Sequence, residues 1–236
     1  MMLPPTGQLG GFYMYLDNRD RAVLGDAANH VLQVAHHRGT SGAWAFQVTG
    51  DWDVTGLVTG HCGSAGCDYV ESVAPDLSGR IWFSTAGGVV GVVDPATGTA
   101  HAVTLPAGEV ANSISTATAG VAVASDHAVY LLRARPGGTP AVVAREPYDR
   151  GSGQKRGQLS WGTGSTPASF GPGGNRYLTI ADNADSQEHL LVYRIDPKTG
   201  ALRLICRTPI FTPGASAAET QRQDAVQSAS GLGGRR

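Results

Sequence analysis

Three clusters in this 236-residue chain combine residue types that do chemistry. His61-Cys62 with Cys67 offers an imidazole and two thiols, which are zinc ligands. A structural zinc site draws on two ligand pairs at tight spacing, and no second pair follows here. Cys62 and Cys67 are equally placed to close a short disulfide loop or to stay reduced. With Cys206 they make three cysteines, too few for a disulfide framework. The second cluster, Gly151-Ser152-Gly153-Gln154-Lys155-Arg156-Gly157, supplies backbone amides and two cations that suit an anion. It lacks Walker spacing and no helical pattern follows, so its default is a solvated loop. The third is a pair of oxygen-rich turns, Asp126-His127 and Asp182-Asn183-Ala184-Asp185. Taken alone they are turn chemistry, since Asn and Asp tolerate left-handed backbone and bond to their own main chain. No Gly-x-Ser-x-Gly elbow anchors a serine nucleophile, because Gly164-Ser165-Thr166-Pro167 does not match it. Trp82 and Trp161 read as packing and loop-anchoring residues.

The elements that must carry these residues are short strands. Residues 69–98 alternate through 69–73, turn at Pro75-Asp76-Leu77-Ser78-Gly79, run β-rich through 80–85 and break at Gly87-Gly88. A third run, 89–93, stops at Asp94-Pro95-Ala96-Thr97-Gly98, and the whole predicts an antiparallel meander. The same grammar of strand, small-residue turn and strand recurs at residues 21–35, 80–94, 120–134 and 176–196. Strand candidates at 12–16, 69–73, 111–115 and 166–170 precede these units. Asp94-Pro95-Ala96-Thr97-Gly98 and Asp196-Pro197-Lys198-Thr199-Gly200 hold equivalent places, followed by strands at 101–105 and 202–207. A repeat of four-stranded units is the sequence mark of an all-β chain folded as a β-propeller. Residues 43–48 and 55–58, with Trp44 and Trp52, form a further strand pair that finishes the first blade or carries a degenerate one. Residues 145–164 form a long glycine-rich, basic excursion between blades three and four, and such loops are usually functional or disordered.

Composition agrees. Hydrophobic content is 41%, charged content only 16%, and 33 glycines supply many turns. The net charge of −1 leaves no electrostatic footprint for nucleic acid. No apolar run approaches the ~18 residues of a membrane helix, and no basic segment followed by an apolar one opens the chain as a secretory signal would. The expected location is cytoplasmic. Residues 1–214 are expected to form the propeller domain and residues 215–236 a disordered tail, too poor in apolar groups to pack. Four to five blades sit at the low end of the ~4–8 that close a ring. The chain enters and leaves in mid-pattern, so a partial ring that self-associates through its terminal blades is expected.

The stretch GRIWFSTAGGVVGVVDPATG resembles the blade signature of virginiamycin B lyase-like and gluconolactonase/regucalcin-like propellers. From Asn112 to Glu219 the segments ANSIS, GVAVASDHAVYLL, REPYDRG, GTGSTP, TIADNAD and LVYRI are similar to bacterial members of the gluconolactonase-like group. The resemblance covers Tyr69 to Glu219 and ends there, where such proteins continue into another blade. It implies a divalent cation on the ring axis, Ca²⁺ or Mg²⁺, held by oxygen ligands at the mouths of the innermost strands. Mapped onto this chain, the implied metal ligands are Glu71, Asn112 and Asp182, with Asp182 and His127 in catalytic roles and His127 as proton acceptor. The implied activity is hydrolysis of a small lactone or ester by metal-activated water. Two other functions stay open: a non-catalytic propeller that binds a protein or small ligand through loops such as 145–164, and a lyase acting on a cyclic ester.

Overall fold

The computed structural model describes residues 13–58, 68–106, 111–156, 158 and 160–214. Sixteen strands form four sheets, each a simple up-and-down meander of four consecutive strands. Sheet 1 contains β1 (Tyr15–Leu16), β2 (Ala22–Gly25), β3 (His30–Arg38) and β4 (Trp44–Asp53). Sheet 2 contains β5 (Val70–Pro75), β6 (Ile81–Thr85), β7 (Val89–Val93) and β8 (Ala100–Thr104). Sheet 3 contains β9 (Ala111–Ala117), β10 (Gly120–Ser125), β11 (Ala128–Ala134) and β12 (Pro140–Pro147). Sheet 4 contains β13 (Ala168–Phe170), β14 (Tyr177–Ala181), β15 (His189–Ile195) and β16 (Leu202–Pro209). All the pairings are antiparallel between chain neighbours.

The turns form for the reasons the sequence supplies. In the two Asp-Pro-x-Thr-Gly turns the aspartate accepts amides two or three residues ahead, Ala96 at 2.9 Å from Asp94 and Thr199 at 2.8 Å from Asp196. The closing glycines adopt positive φ, +74° at Gly98 and +79° at Gly200, where a β-carbon would be strained.

The expected strand at 55–58 is instead a single helical turn, α1 (Thr55–Val58). Asp53 caps it, accepting the Thr55 amide at 2.8 Å. The turn drives Val54 and Val58 into the contact between sheets 1 and 2. Strand β4 already completes sheet 1, so residues 43–58 add no further blade. The expected excursion at 145–164 also begins later, because β12 runs to Pro147. The Cys62/Cys67 cluster and the tail at 215–236 lie outside the described residues.

Three apolar cores lie between successive sheets. Val23, Val31, Val70, Phe83 and Val93 join sheets 1 and 2. Trp82, Val92, Val123, Tyr130 and Leu132 join sheets 2 and 3. Leu131, Leu178, Ile180, Tyr193 and Leu202 join sheets 3 and 4. Each fully buried side chain of this size contributes ~1.5–3 kcal/mol relative to exposure, so the sheets are held face to face. Their first strands lie together along one inner edge. There the Tyr13 amide donates to the Glu71 carbonyl at 3.4 Å and the Val73 amide to the Tyr13 carbonyl at 3.3 Å. This forms a parallel bridge of Tyr13 to Ser72.

Candidate axial site

The register of the inner strands decides where Glu71 and Asn112 sit. In sheet 2, Val70 pairs with Thr85 and Ser72 with Ser84, which leaves Glu71 as an extra, unpaired residue. In sheet 3, Ala111 pairs with Ser125 and Ser113 with Ala124, which leaves Asn112 in the same position. Both are β-bulges, which break the alternation of side chains and re-aim the extra residue. The two positions singled out in sequence are thus structurally equivalent, one turn from the same end of adjacent inner strands. The Asn112 side chain lies outside the described residues.

The approach to Glu71 is rigid. The Asn29 side chain, buried in the β2–β3 turn, donates to the Asp68 carbonyl at 3.0 Å and accepts the Val70 amide at 2.9 Å. Asp68 accepts the Thr85 hydroxyl and the Gly87 amide, each at 2.5 Å. Among the described residues the Glu71 carboxyl itself has no hydrogen-bond partner. Burial first, and then the negative charge of Asp68, push its pKa up from 4.5 to about 7.

The corresponding positions in sheet 4 follow by counting back from Ala168, which pairs with Thr179. Thr166 falls level with Ser72 and Ser113, and Ser165 level with Glu71 and Asn112. Ser165 is engaged, its hydroxyl 2.7 Å from that of Thr163 and accepting the Ala181 amide at 2.8 Å. Among the described residues, by contrast, the buried hydroxyls of Ser72 and Thr166 have no partner, and Ser113 reaches the Ser165 carbonyl at 3.5 Å. The pairs Glu71-Ser72, Asn112-Ser113 and Ser165-Thr166 therefore occupy equivalent register positions on three inner strands. The repeated pairing of a polar residue with Ser or Thr before the strand was a usable sequence signal, hidden in sheet 4 by its later start.

Asp182 is elsewhere. It follows β14, the second strand of its sheet, and is buried. One carboxylate oxygen accepts the His189 amide at 2.7 Å, and the other lies 3.1 Å from His189 Nδ1 and 3.2 Å from Arg207 Nη2. The other three sheets place an equivalent oxygen at this turn: Asp26 toward His30 at 2.8 Å, Thr85 toward Val89 at 2.9 Å and Ser125 toward Ala128 at 3.0 Å. Asp182 thus caps the turn, with the Arg207 guanidinium balancing its charge and the His189 ring beside it.

His127 is also engaged. Its Nδ1 lies 2.9 Å from Asp126 Oδ1, and its Nε2 faces the Arg150 guanidinium. Arg150 also donates to Asp126 Oδ2 at 2.9 Å and stacks on Trp161 at 3.5 Å. The loop from Tyr148 to Pro167 is sewn to the same end of the molecule. Tyr148 donates to the Ser125 carbonyl at 2.5 Å and accepts the Thr163 amide at 2.8 Å. Buried Asn183 accepts from Gln158 at 2.8 Å and donates to the Arg150 carbonyl at 2.8 Å. The anion-friendly amide at Ser152 is taken by the chain's own Asp185, both of whose oxygens lie 3.1 Å away. Lys155 donates to the Asn183 and Ala184 carbonyls at 2.6 and 2.8 Å.

Among the described residues no three His, Cys, Asp or Glu side chains converge as a metal site. At these register positions the described side chains offer the Glu71 carboxylate and the Ser72 and Thr166 hydroxyls. Such hard oxygen donors fit magnesium or calcium in kind, and do not fit zinc.

No family model matches the chain, and no curated protein matches it. Among solved structures, it is similar to a "putative 6-phosphogluconolactonase" from Bacteroides uniformis. That match has a TM-score of 0.57 at 11% identity, over 84% of this chain and 57% of the other. The β-propeller domain of Cps50 (Swd1) from Myceliophthora thermophila aligns with a TM-score of 0.52 at 10% identity, over 81% of this chain and 57% of the other. A protein from Lactobacillus plantarum aligns with a TM-score of 0.52 at 13% identity, over 84% and 70%. The chain thus spans little more than half the length of the first two. At these identities the likenesses speak to fold alone, and they agree with the four meander sheets: the chain is built as a β-propeller.

Proposed function

We propose that the chain belongs to a hydrolase of small lactones or esters that works at the mouth of the inner strands. The observation that carries this is Glu71, a carboxyl on a bulge, without a hydrogen-bond partner among the described residues and with a pKa of about 7. A base poised near neutrality is what proton abstraction from water requires. The similarity to a lactonase-named propeller supports it.

Glu71 takes a proton from water as the water oxygen bonds to the substrate's acyl carbon. The ester C–O bond then breaks, and the departing alkoxide oxygen takes the proton back from Glu71. The product of a lactone is a hydroxy acid. A divalent cation, held by Asn112 and neighbouring oxygen groups, would polarise the carbonyl and stabilise the developing oxyanion, with Glu71 left off the ion to act as the base. The Ser72 and Thr166 hydroxyls, at equivalent register positions, have no partner among the described residues and could donate there.

The test combines calcium and magnesium titration calorimetry, thermal unfolding and a lactone screen on the wild-type chain and Glu71→Gln. Expected are binding of about one ion per chain, a raised unfolding temperature and a loss of ~10²–10⁴ in kcat/KM for the variant. Turnover that survives Glu71→Gln would remove Glu71 from the chemistry. A chain without ion binding or turnover would be a propeller that binds through its loops.

A further inference from the structure

At the end of the molecule opposite the Asp126–His127 turn, a recess of about 230 Å³ opens between sheets 2 and 3. Register builds it. Ile81 pairs with Val93 and the Asp94 amide donates to the Thr99 carbonyl, so Arg80, Asp94 and Thr99 form one row at the end of sheet 2. In the next row on the same face, Val92 pairs with His101. The Gly137-Gly138 turn of sheet 3 closes the far side with consecutive positive φ angles of +88° and +91°.

The charges here are unspent. Among the described residues neither the Arg80 guanidinium nor the His101 ring has a hydrogen-bond or ion-pair partner. Asp94 accepts the Ala96 amide through Oδ1 at 2.9 Å, and its Oδ2 has no donor. A cation and an anion thus share one recess without pairing, over an apolar floor at Val92. A guanidinium takes a carboxylate through two parallel N–H donors. A carboxylate with a spare oxygen takes a hydroxyl or ammonium, and repels a compact dianion such as phosphate.

We propose that this recess binds a small organic acid that carries a hydroxyl or ammonium group beside its carboxylate. Arg80 and His101 hold the carboxylate, and Asp94 holds the neighbouring donor. The site is separate from the axial mouth and does not depend on hydrolysis there.

Propionate, lactate and alanine share one carbon skeleton and differ at the carbon beside the carboxylate. Each would be titrated into isotope-labelled chain while the Gly137 and Gly138 amides and the His101 ring are followed by NMR. Lactate or alanine is expected to give saturable shifts there with Kd on the order of 1 mM, and propionate to bind roughly threefold more weakly or worse. Tighter lactate assigns the hydroxyl as the partner of Asp94, and tighter alanine the ammonium. Arg80→Gln, which breaks no observed contact, is expected to weaken binding about tenfold or more. Asp94→Asn is expected to bring lactate and alanine down to the level of propionate. Shifts that stay linear to about 50 mM for all three acids, or that Arg80→Gln leaves unchanged, would overturn the proposal.

Discussion

Keeping Glu71 charged in the native state is costly, and the cost depends on pH. Its carboxyl has a pKa of about 7 when folded against 4.5 when free, so between those values the folded chain holds a proton that the unfolded chain has released. Stability therefore falls as pH rises from about 4.5 to about 7 and is flat above that range. The difference of about 2.5 units sets an upper bound of ~3 kcal/mol at 1.36 kcal/mol per unit. Glu71→Gln is expected to be more stable than wild type by up to that amount at about pH 8, with the gain gone near pH 4.5. Urea midpoints at matched m-values across this range would check it, and a gain independent of pH would point to packing instead. Glu71 and Asn112 were legible in sequence because each stands at a nearly constant distance before the next strand. The turn-capping contacts of Asp182 appear only when four turns are laid on one register, showing Asp26, Thr85 and Ser125 capping their strands alike. Ser165 and Thr166 were missed because Pro167 and a late strand start disguise their blade.

The loop from Tyr148 to Pro167 is best understood as an element. Its length and glycines left function and disorder both open, since neither composition nor pattern reveals a side chain's partner thirty residues away. In the structure Tyr148, Gln158, Thr163 and Asn183 form a buried polar seam. Gly162 is its tightest point: φ is +97°, and a β-carbon would lie 2.6 Å from both Asp126 Cα and Tyr148 Oη. Gly162→Ala is expected to cost about 2 kcal/mol or more and to expose the loop to protease. Gly153→Ala in the same loop meets nothing within 4 Å and should stay within about 0.5 kcal/mol of wild type. Denaturation midpoints and cleavage rates for the pair would separate a knitted loop from a loose one. The blade grammar was legible for the opposite reason, since each meander is made by turns whose Asp, Pro and Gly act on their immediate neighbours. The exception, α1, arose where Asp53 caps a turn that a run of apolar residues had disguised as a strand.

Four sheets share three cores, so the described residues leave one face of sheet 1 and one face of sheet 4 without a sheet against it. Both faces carry apolar residues among polar ones. On sheet 1 the cross-strand row Leu16, Ala22, Val34 and Val48 lies beside the Leu24–Leu32 pair. On sheet 4 the open face carries Phe170, Tyr177, Val192 and Cys206, with Thr179, Arg194 and Arg203 in the same rows. The apolar residues on these faces leave room for a second copy of the chain to pack there, as the internal junctions pack sheet on sheet. Light scattering is expected to give a mass above that of one chain, which Leu24→Glu and Val192→Glu together return to one chain. A wild-type chain that stays single at all concentrations would show these faces to be tolerated in water.

The meander topology has a mechanical consequence. Among the described residues every named strand pairs with strands next to it in the chain, the Tyr13–Ser72 bridge apart, and each core joins two successive sheets. Sheets 2 and 3 are clamped from both sides, whereas sheets 1 and 4 are clamped from one. Loosening of an outer sheet leaves the hydrogen-bond ladders of the other three whole, so the molecule behaves as a short stack that frays inward from its ends. The Glu71 and Asn112 bulges sit in the two clamped sheets, where the stack opens last.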